Sequence, residues 1–179
     1  MDEIRCLTGK SNSVSEIVDQ PGTPGLRARL RDPENDGHQP WWNDREDDRF
    51  PITDTRLFTS FETPINHMHR AAWIMDGWFK APETGTYRFY IACDDACKLN
   101  IDTKHPYGTK GANVENDDEN NICIRSSWTQ WRHYFDENNA DNNQPISEWI
   151  SLKKGEYYQI LGYTVEGGGG DHYTVAVEF

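Results

Sequence analysis

Residues 73–103 constrain the fold more than any other stretch, because three successive segments within them have the patterns of β-strands. Residues 73–79 are rich in aromatic and aliphatic side chains, and apolar and polar positions alternate at residues 86–91 and again at residues 98–103. A period of two is typical of strands that bury one face. This stretch therefore predicts three consecutive strands.

The connections between these strands are short. Residues 81–85 (APETG) contain Pro82, which fixes its own φ, and Gly85, which tolerates φ values closed to other residues. We therefore predict that the first two strands form an antiparallel hairpin. The third strand leaves a corner made by Asp94 and Asp95.

The rest of the chain has the same character, and no long segment shows a helical period. Its 179 residues suffice for one domain with a core of ordinary size. The sequence predicts an all-β fold with long polar loops. Further strands are expected at residues 3–8, 26–30, 122–131, 147–152, 157–164 and 172–179, and the polar loops at residues 32–49, 104–121 and 136–144.

Charge and hydropathy exclude two classes of partner. The net charge of −12 argues against nucleic acid, which requires a basic face, and fits cation binding or solubility equally well. No window approaches the roughly 18 apolar residues of a membrane helix. The acidic start at Met1 lacks the pattern of a signal peptide, so we expect a segment of a larger chain. Residues 1–24 are expected to form a strand and linker, and residues 25–179 the domain proper.

The four cysteines are Cys6, Cys93, Cys97 and Cys123. An even number permits two disulfides with three possible connectivities, whereas a cytosolic protein would keep them as thiols. A Cys93–Cys97 bridge would lock the aspartate corner, and a bridge from either to Cys123 would attach the following loop to it. Either would stabilise the fold by a few kcal/mol. Spacing alone does not choose between them, and Cys6 can pair inside or outside the domain.

The order of these patterns resembles the PA14 domain, a module of bacterial toxin components, yeast flocculins, fungal adhesins, glycosidase insertions and fibrocystin-type receptors. The resemblance is most specific over residues 73–102 and returns at residues 152–158 (LKKGEYY) and 166–170 (EGGGG). It implies an antiparallel β-sandwich of jelly-roll type in an extracellular or cell-surface protein, with fibrocystin-like receptors closest. The sequence departs from the family at Ala96, where a glycine is usual, and in its cysteines around the aspartate pair.

The resemblance also implies a metal site. In the flocculin and adhesin branch, the paired aspartates form a cis unit that binds Ca²⁺ and sugar hydroxyls, so Asp94 and Asp95 are expected to do so here. Ca²⁺ takes about six to eight oxygen ligands. Adjacent aspartates in a strand point to opposite faces, and a turn can bring both carboxylates to one ion.

The second loop of that branch contributes an Asn side chain and two backbone carbonyls. The matching residues 165–171 (VEGGGGD) contain no Asn. Glu166 or Asp171 can replace it, with the carbonyls of Gly167 and Gly169 completing the ligand set. No Lys-Ser/Thr or helix follows the glycines, so they are not a phosphate-binding loop.

A sugar held by such an ion would present its apolar face to an aromatic ring. Trp131, Tyr107 and His172 are the candidate stacking residues, and a glycan or a cell-surface glycoprotein is the expected partner. His67 and His69 share a face if they lie on a strand, but for this pair we favour a structural role.

Three functions follow from these residues. The first is a non-catalytic binding or adhesion module for Ca²⁺-dependent carbohydrate recognition. The second is a structural or protein-interaction module of a large receptor ectodomain, without glycan binding. The third, a carboxylate-pair hydrolase, fits poorly, because neighbouring aspartates cannot flank a glycosidic bond on opposite sides.

Overall fold

A computed structural model describes Gly22 and residues 25–31, 51–67, 69–115, 117–135 and 144–179. Within these residues, nine strands and one single-turn helix make an all-β fold, which confirms the predicted class. The strands are β1 (Leu26–Arg31), β2 (Ile52–Phe58), β3 (Ala72–Lys80), β4 (Gly85–Asp94), β5 (Ala96–Ile101), β6 (Asn121–Arg125), β7 (Ile150–Leu152), β8 (Tyr157–Val165) and β9 (His172–Glu178), and the helix is α1 (Asp117–Asn120).

The strands form two antiparallel sheets that pack face to face. The larger sheet has the order β2-β1-β3-β8-β5-β6, and the smaller sheet has the order β7-β4-β9. Inward-facing side chains of both sheets build one core. From the small sheet it includes Tyr87, Phe89 and Ile91, and from the large sheet Trp73 and Met75, all essentially inaccessible to solvent.

The predicted hairpin between β3 and β4 is wrong. β3 pairs with β1 and β8, while β4 pairs with β7 and β9, so the APETG turn joins one sheet to the other. The corner after β4 also crosses from one sheet to the other, because β5 pairs with β6 and β8 in the large sheet. Period-two alternation reports which face of a strand is buried and does not reveal its neighbour.

Other strand predictions agree with the structure to different degrees. β1, β8 and β9 lie where predicted, whereas β6 and β7 are shorter than the predicted strands at residues 122–131 and 147–152. The strand pattern at 52–58 was missed. The predicted strand at residues 3–8 and most of the two polar loops at residues 32–49 and 136–144 lie outside the described residues, and the helix α1 lies in the loop predicted at residues 104–121.

A segment at residues 127–135 crosses the outer face of the small sheet. The backbone N–H of Thr129 donates to the carbonyl of Cys93 at 2.7 Å, and the Tyr134 ring packs on Tyr90 with centroids 6.3 Å apart. These contacts place Trp131 beside the end of β4. Among the described residues, no helix is long and apolar enough to cross a membrane.

Cys93 and Cys97 form a disulfide. Of the connectivities that the sequence left open, the structure therefore has the one that bridges the aspartate corner. The bridge joins the end of β4 to β5. Cys123 is a buried free thiol, which contradicts the alternative in which it staples the following loop. Cys6 lies outside the described residues.

In the native protein, iodoacetamide is expected to leave Cys123 unmodified, because its side chain is inaccessible and burial raises the pKa of its thiol far above the usual value. In denaturant it should react fully. Tryptic mass spectrometry checks both points. Cys93 and Cys97 fall in one peptide between Arg88 and Lys98, which should resist alkylation until a reductant is added. Equal modification of native and unfolded Cys123 would contradict the packing.

Candidate metal and ligand site

Two chain crossings between the sheets lie side by side and build the site. The first runs from β4 to β5 through Asp94 and Asp95, and the second runs from β8 to β9 through the glycine-rich loop, residues 166–171. They are adjacent because β5 pairs with β8, with Ala96 opposite Val165, and β4 pairs with β9, with Asp94 opposite His172. The strand pairing therefore brings together two loops about 70 residues apart in sequence.

The aspartate corner is held to the glycine-rich loop by backbone and side-chain hydrogen bonds. The Asp94–Asp95 peptide bond is cis, as the resemblance implies. The N–H of Asp95 donates to the carbonyl of Val165 at 3.0 Å. The N–H of Gly167 donates to Asp95 Oδ2 at 2.8 Å. Asp95 is therefore oriented by the loop that faces it.

Glu166 turns its side chain toward the two aspartates. One carboxylate oxygen from each of Asp94, Asp95 and Glu166 lies within 4.8 Å of the others. Glu166 is fully buried; its Oε1 accepts from the N–H of Gly168, and its Oε2 has no hydrogen-bond partner. A buried carboxylate oxygen without a partner is costly unless a cation or proton satisfies it.

Burial and the neighbouring carboxylates raise the pKa values of Asp94 and Glu166. Burial, with the charges of Asp95 and Asp171, raises the pKa of Asp94 to about 6. Burial, with the charges of the same groups and Asp94, raises the pKa of Glu166 to about 7, against a hydrogen bond from Gly168 that lowers it. The arrangement favours uptake of positive charge.

Of the two alternatives for the missing Asn, Glu166 is the one that joins the aspartate pair. Asp171 is buried and acts on Asp94 and Glu166 through its charge, but it lies outside the group of three converging oxygens. Gly167 and Gly169 occupy the loop as predicted, and their carbonyls as ligands remain a prediction. Gly169 has φ 128°, a conformation that glycine readily adopts.

Sequence reasoning missed Asn66. Its N–H donates to the Asp171 carbonyl at 2.9 Å, and its Oδ1 accepts from the N–H of Asp171 at 3.3 Å. A Cβ placed on Gly170 would lie 3.0 Å from Asn66 Oδ1 and 3.7 Å from Asp94 Oδ2, so the amide borders the carboxylates. No local pattern marks this residue, because it reaches the site from the loop before β3.

Of the three candidate stacking residues, Trp131 and His172 lie near the aspartate corner, and Tyr107 does not. Trp131 is near the site and 45% exposed, and its Nε1 donates to Glu62 at 2.8 Å. His172, opposite Asp94, is buried, which lowers the pKa of its imidazole. Tyr107 is bonded through its N–H to Tyr157, at the start of β8.

The prediction that Tyr107 stacks on a ligand at this site is wrong. The aspartate corner contacts Val165, the last residue of β8, and eight residues of strand span roughly 26 Å. Tyr107 therefore lies at the opposite end of the sandwich. His67 stacks on Trp73 with ring centroids 6.2 Å apart, and His69 lies against Gly168. Both side chains are exposed, and the structural role of the two histidines stays a prediction.

A groove of about 400 Å³ lies beside the site. It is lined by residues between 57 and 65 and by Trp131. Glu62 forms part of its wall and also binds Arg132, whose guanidinium lies 4.4 Å from the Trp131 ring centroid. The site therefore combines a carboxylate cluster, an exposed aromatic ring and an open groove.

The sequence profile of the PA14 domain matches residues 53–173, more than half of the chain. The chain belongs to the PA14 domain family. No curated protein is significantly similar to it in sequence.

Solved structures share the fold of this chain at low sequence identity. The epithelial adhesin 9 A domain of Candida glabrata, in complex with Galβ1-3GlcNAc, is 13% identical with a TM-score of 0.58; the match covers 98% of this chain and 87% of that one. A β-glucosidase of Kluyveromyces marxianus, in complex with glucose, is 14% identical with a TM-score of 0.53. That match covers 99% of this chain but 18% of the enzyme.

A third similar structure is an anti-sigma factor domain-containing protein of Clostridium clariflavum, 15% identical with a TM-score of 0.52, of which 41% is covered. This chain therefore spans well under two thirds of the length of the β-glucosidase and of the Clostridium protein. The same fold occurs in these structures in different molecular settings, so the fold alone does not assign a ligand.

Proposed function

We propose that this PA14 domain is a non-catalytic, extracellular carbohydrate-binding adhesion module whose ligand is held through a Ca²⁺ ion. Asp94, Asp95 and Glu166 would bind the ion, with carbonyls of Gly167 and Gly169 as further oxygen ligands. The observation that carries the proposal is the buried, unpartnered Glu166 Oε2, which converges with both aspartates. An all-oxygen donor set of this charge suits Ca²⁺.

The surroundings support a sugar as the ligand. Vicinal hydroxyls can replace metal-bound water, and the exposed Trp131 ring supplies a surface for the apolar face of a pyranose. The adhesin domain with the same fold was crystallised with a galactose-containing disaccharide. The carboxylates converge on one side of a corner, unlike the opposed pair of a glycosidase, which supports a binding role over hydrolysis.

Glycan binding should require calcium. On a glycan array, we expect binding of neutral hexose-containing glycans in millimolar Ca²⁺ and its loss in excess chelator, because the ion would supply the contacts to the hydroxyls. Trp131→Ala should weaken binding about tenfold or more by removing the stacking surface. Trp149→Ala is the control, because Trp149 is about equally exposed and also lies against an arginine, Arg88, but precedes β7 at the end of β4 away from the aspartate corner. Binding that persists in chelator would refute the bridging ion.

The pH dependence of stability should reverse sign when calcium binds. Without metal, the folded-state pKa values of about 7 for Glu166 and about 6 for Asp94 exceed the ordinary values of 4.5 and 3.8. Between these limits the folded protein holds more protons than the unfolded chain, so the free energy of unfolding falls as pH rises from about 4 to 7. We expect a loss of about 1–3 kcal/mol over this range.

With saturating calcium the trend should invert, because the ion binds the ionised carboxylates and protons compete with it. Thermal melts at pH 5, 6, 7 and 8, in metal-free buffer and in calcium, measure both slopes. Glu166→Gln removes one of the titrating groups and should flatten the metal-free curve. Parallel slopes with and without calcium would show that these carboxylates do not bind the ion, and would favour a purely structural module.

A further inference from the structure

A covalent bridge closes the corner that carries the two aspartates. The disulfide joins Cys93, the last residue but one of β4, to Cys97, the second residue of β5, and their Cα atoms lie 6.1 Å apart. Three residues lie between the cysteines, and two of them are Asp94 and Asp95. Because β4 and β5 belong to different sheets, the bridge links the two sheets at the candidate site.

The two sides that the bridge joins carry different parts of the carboxylate cluster. Asp94 is the last residue of β4 and lies opposite His172 in the small sheet. Asp95 donates its N–H to Val165, the last residue of β8 in the large sheet, and Glu166 follows directly. Adjacent aspartates in an extended chain point to opposite faces. Convergence of the three carboxylates therefore depends on the backbone conformation of the corner.

The first cysteine of the bridge also holds the segment that carries Trp131. The N–H of Cys93 donates to Thr129 Oγ1 at 3.2 Å, and the Cys93 carbonyl accepts from the Thr129 N–H at 2.7 Å. Thr129 is buried, and Trp131 follows two residues later. The position of Cys93 therefore affects both the aspartates and the exposed ring.

The pairing of the strands does not depend on the bridge. β4 pairs with β9 along residues 88–94, and β5 pairs with β8 along residues 96–101. A disulfide that closes so short a loop removes little entropy from the unfolded chain. Its loss should lower the melting temperature by roughly 4–8 °C, which leaves the domain folded.

We propose that the Cys93–Cys97 disulfide is a positioning element of the calcium site, an inference that rests on the proposed function. Without the bridge, residues 94–96 adopt several backbone conformations, and the carboxylates converge in a fraction of them. Calcium affinity falls in proportion to that fraction. Fixing the backbone of one residue on binding corresponds to a loss of about five- to thirtyfold. The domain therefore acquires its calcium affinity when these thiols are oxidised, as they are in an oxidising compartment.

Calorimetric titration of Ca²⁺ into the wild type and into Cys93→Ala/Cys97→Ala, well below both melting temperatures, tests this. We expect the variant to fold and to bind calcium about five- to thirtyfold more weakly. The wild type refolded in a thiol-free reductant should bind as weakly as the variant and recover its affinity on reoxidation. Peptide mapping confirms that the Cys93–Cys97 bridge has formed again.

The matched control is Leu152→Ala, which destabilises the domain without touching the corner. Leu152 is buried in β7 opposite Gly85, at the end of β4 away from the aspartates. Its truncation should lower the melting temperature at least as much as loss of the bridge. Its calcium affinity should nevertheless equal that of the wild type.

Each outcome decides the proposal. A bridge-free domain that binds calcium as tightly as the wild type would overturn the positioning role and leave the proposed function standing. Equal weakening in Leu152→Ala would show that affinity follows overall stability, which also contradicts the inference. So would failure of both the alanine variant and the reduced wild type to fold, since the fold would then require the bridge. Absence of calcium binding in the oxidised wild type would refute the proposed function itself.

Discussion

Saturating calcium is expected to raise the melting temperature of the domain by roughly 5–10 °C. At a free calcium concentration about 100 times the dissociation constant, binding to the folded state alone adds about 2.7 kcal/mol. For a domain of this length, each kcal/mol shifts the melting temperature by about 2–4 °C. The gain has a local cause, because the ion relieves repulsion among Asp94, Asp95 and Glu166 and satisfies the unpartnered Glu166 oxygen.

Glu166→Gln separates this explanation from nonspecific ion binding. The variant should lower calcium affinity about tenfold or more, because a carboxylate ligand becomes a neutral amide. In metal-free buffer, however, it should be more stable than the wild type at pH 8, because one repelling charge is gone. Asp95→Asn should likewise weaken calcium binding, and its Oδ can still accept from Gly167.

The matched control is Glu83→Gln, whose charge lies at the opposite end of β4 in an exposed ion pair with Lys154. Its calcium-dependent shift in melting temperature should equal that of the wild type. Differential scanning calorimetry and isothermal titration measure stability and affinity separately. A wild-type domain whose melting temperature ignores calcium at pH 8, with no heat of binding, would end the metal hypothesis and leave the structural module.

Gly162→Ala is expected to destabilise the domain by about 3 kcal/mol, which corresponds to a fall of roughly 6–12 °C in melting temperature. Gly162 lies in β8 at the centre of the large sheet, paired with Met75 on one side and Leu99 on the other. An added Cβ would lie 2.4 Å from Phe61 and 2.6 Å from Tyr173. Both rings are buried and pack edge to face, so neither can move without disturbing the core.

Gly85→Ala is the control for backbone effects. Gly85 is exposed at the start of β4, and a Cβ there would meet no atom within 4 Å. Its melting temperature should stay within about 2 °C of the wild type, since surface substitutions without such contacts change stability by about 0.5 kcal/mol or less. Equal stability of the two variants would contradict the packing of Phe61 and Tyr173 around Gly162.

The fold class was predictable because one face of most strands is buried. Alternation of Tyr87, Phe89 and Ile91 with polar residues is a local property, and the structure confirms that these side chains enter the core. The pairing of β4 with β7 and β9 was not predictable from the same pattern. A strand buries its face equally well in a hairpin or across a sandwich, so the local sequence is the same in both cases.

The candidate site was likewise predictable from local sequence only in part. The resemblance identified both the Asp94–Asp95 pair and the glycine-rich loop, because both match short local motifs of the family. Whether Glu166 or Asp171 joins the aspartates depends on side-chain direction, and only the structure brings Glu166 to them. Asn66 was missed and Tyr107 was misplaced for one reason, since distance to the site depends on strand pairing.

The sequence by itself determined that this chain forms strands, that its acidic pair lies at a corner and that a glycine run permits a tight loop. These are properties of neighbouring residues and their allowed backbone conformations. Only the tertiary structure decided that both connections cross between the sheets side by side, which brings Asp94, Asp95 and Glu166 together. The physical reason is that backbone hydrogen bonding between strands is indifferent to side chains, so burial of the whole core selects which strands become neighbours.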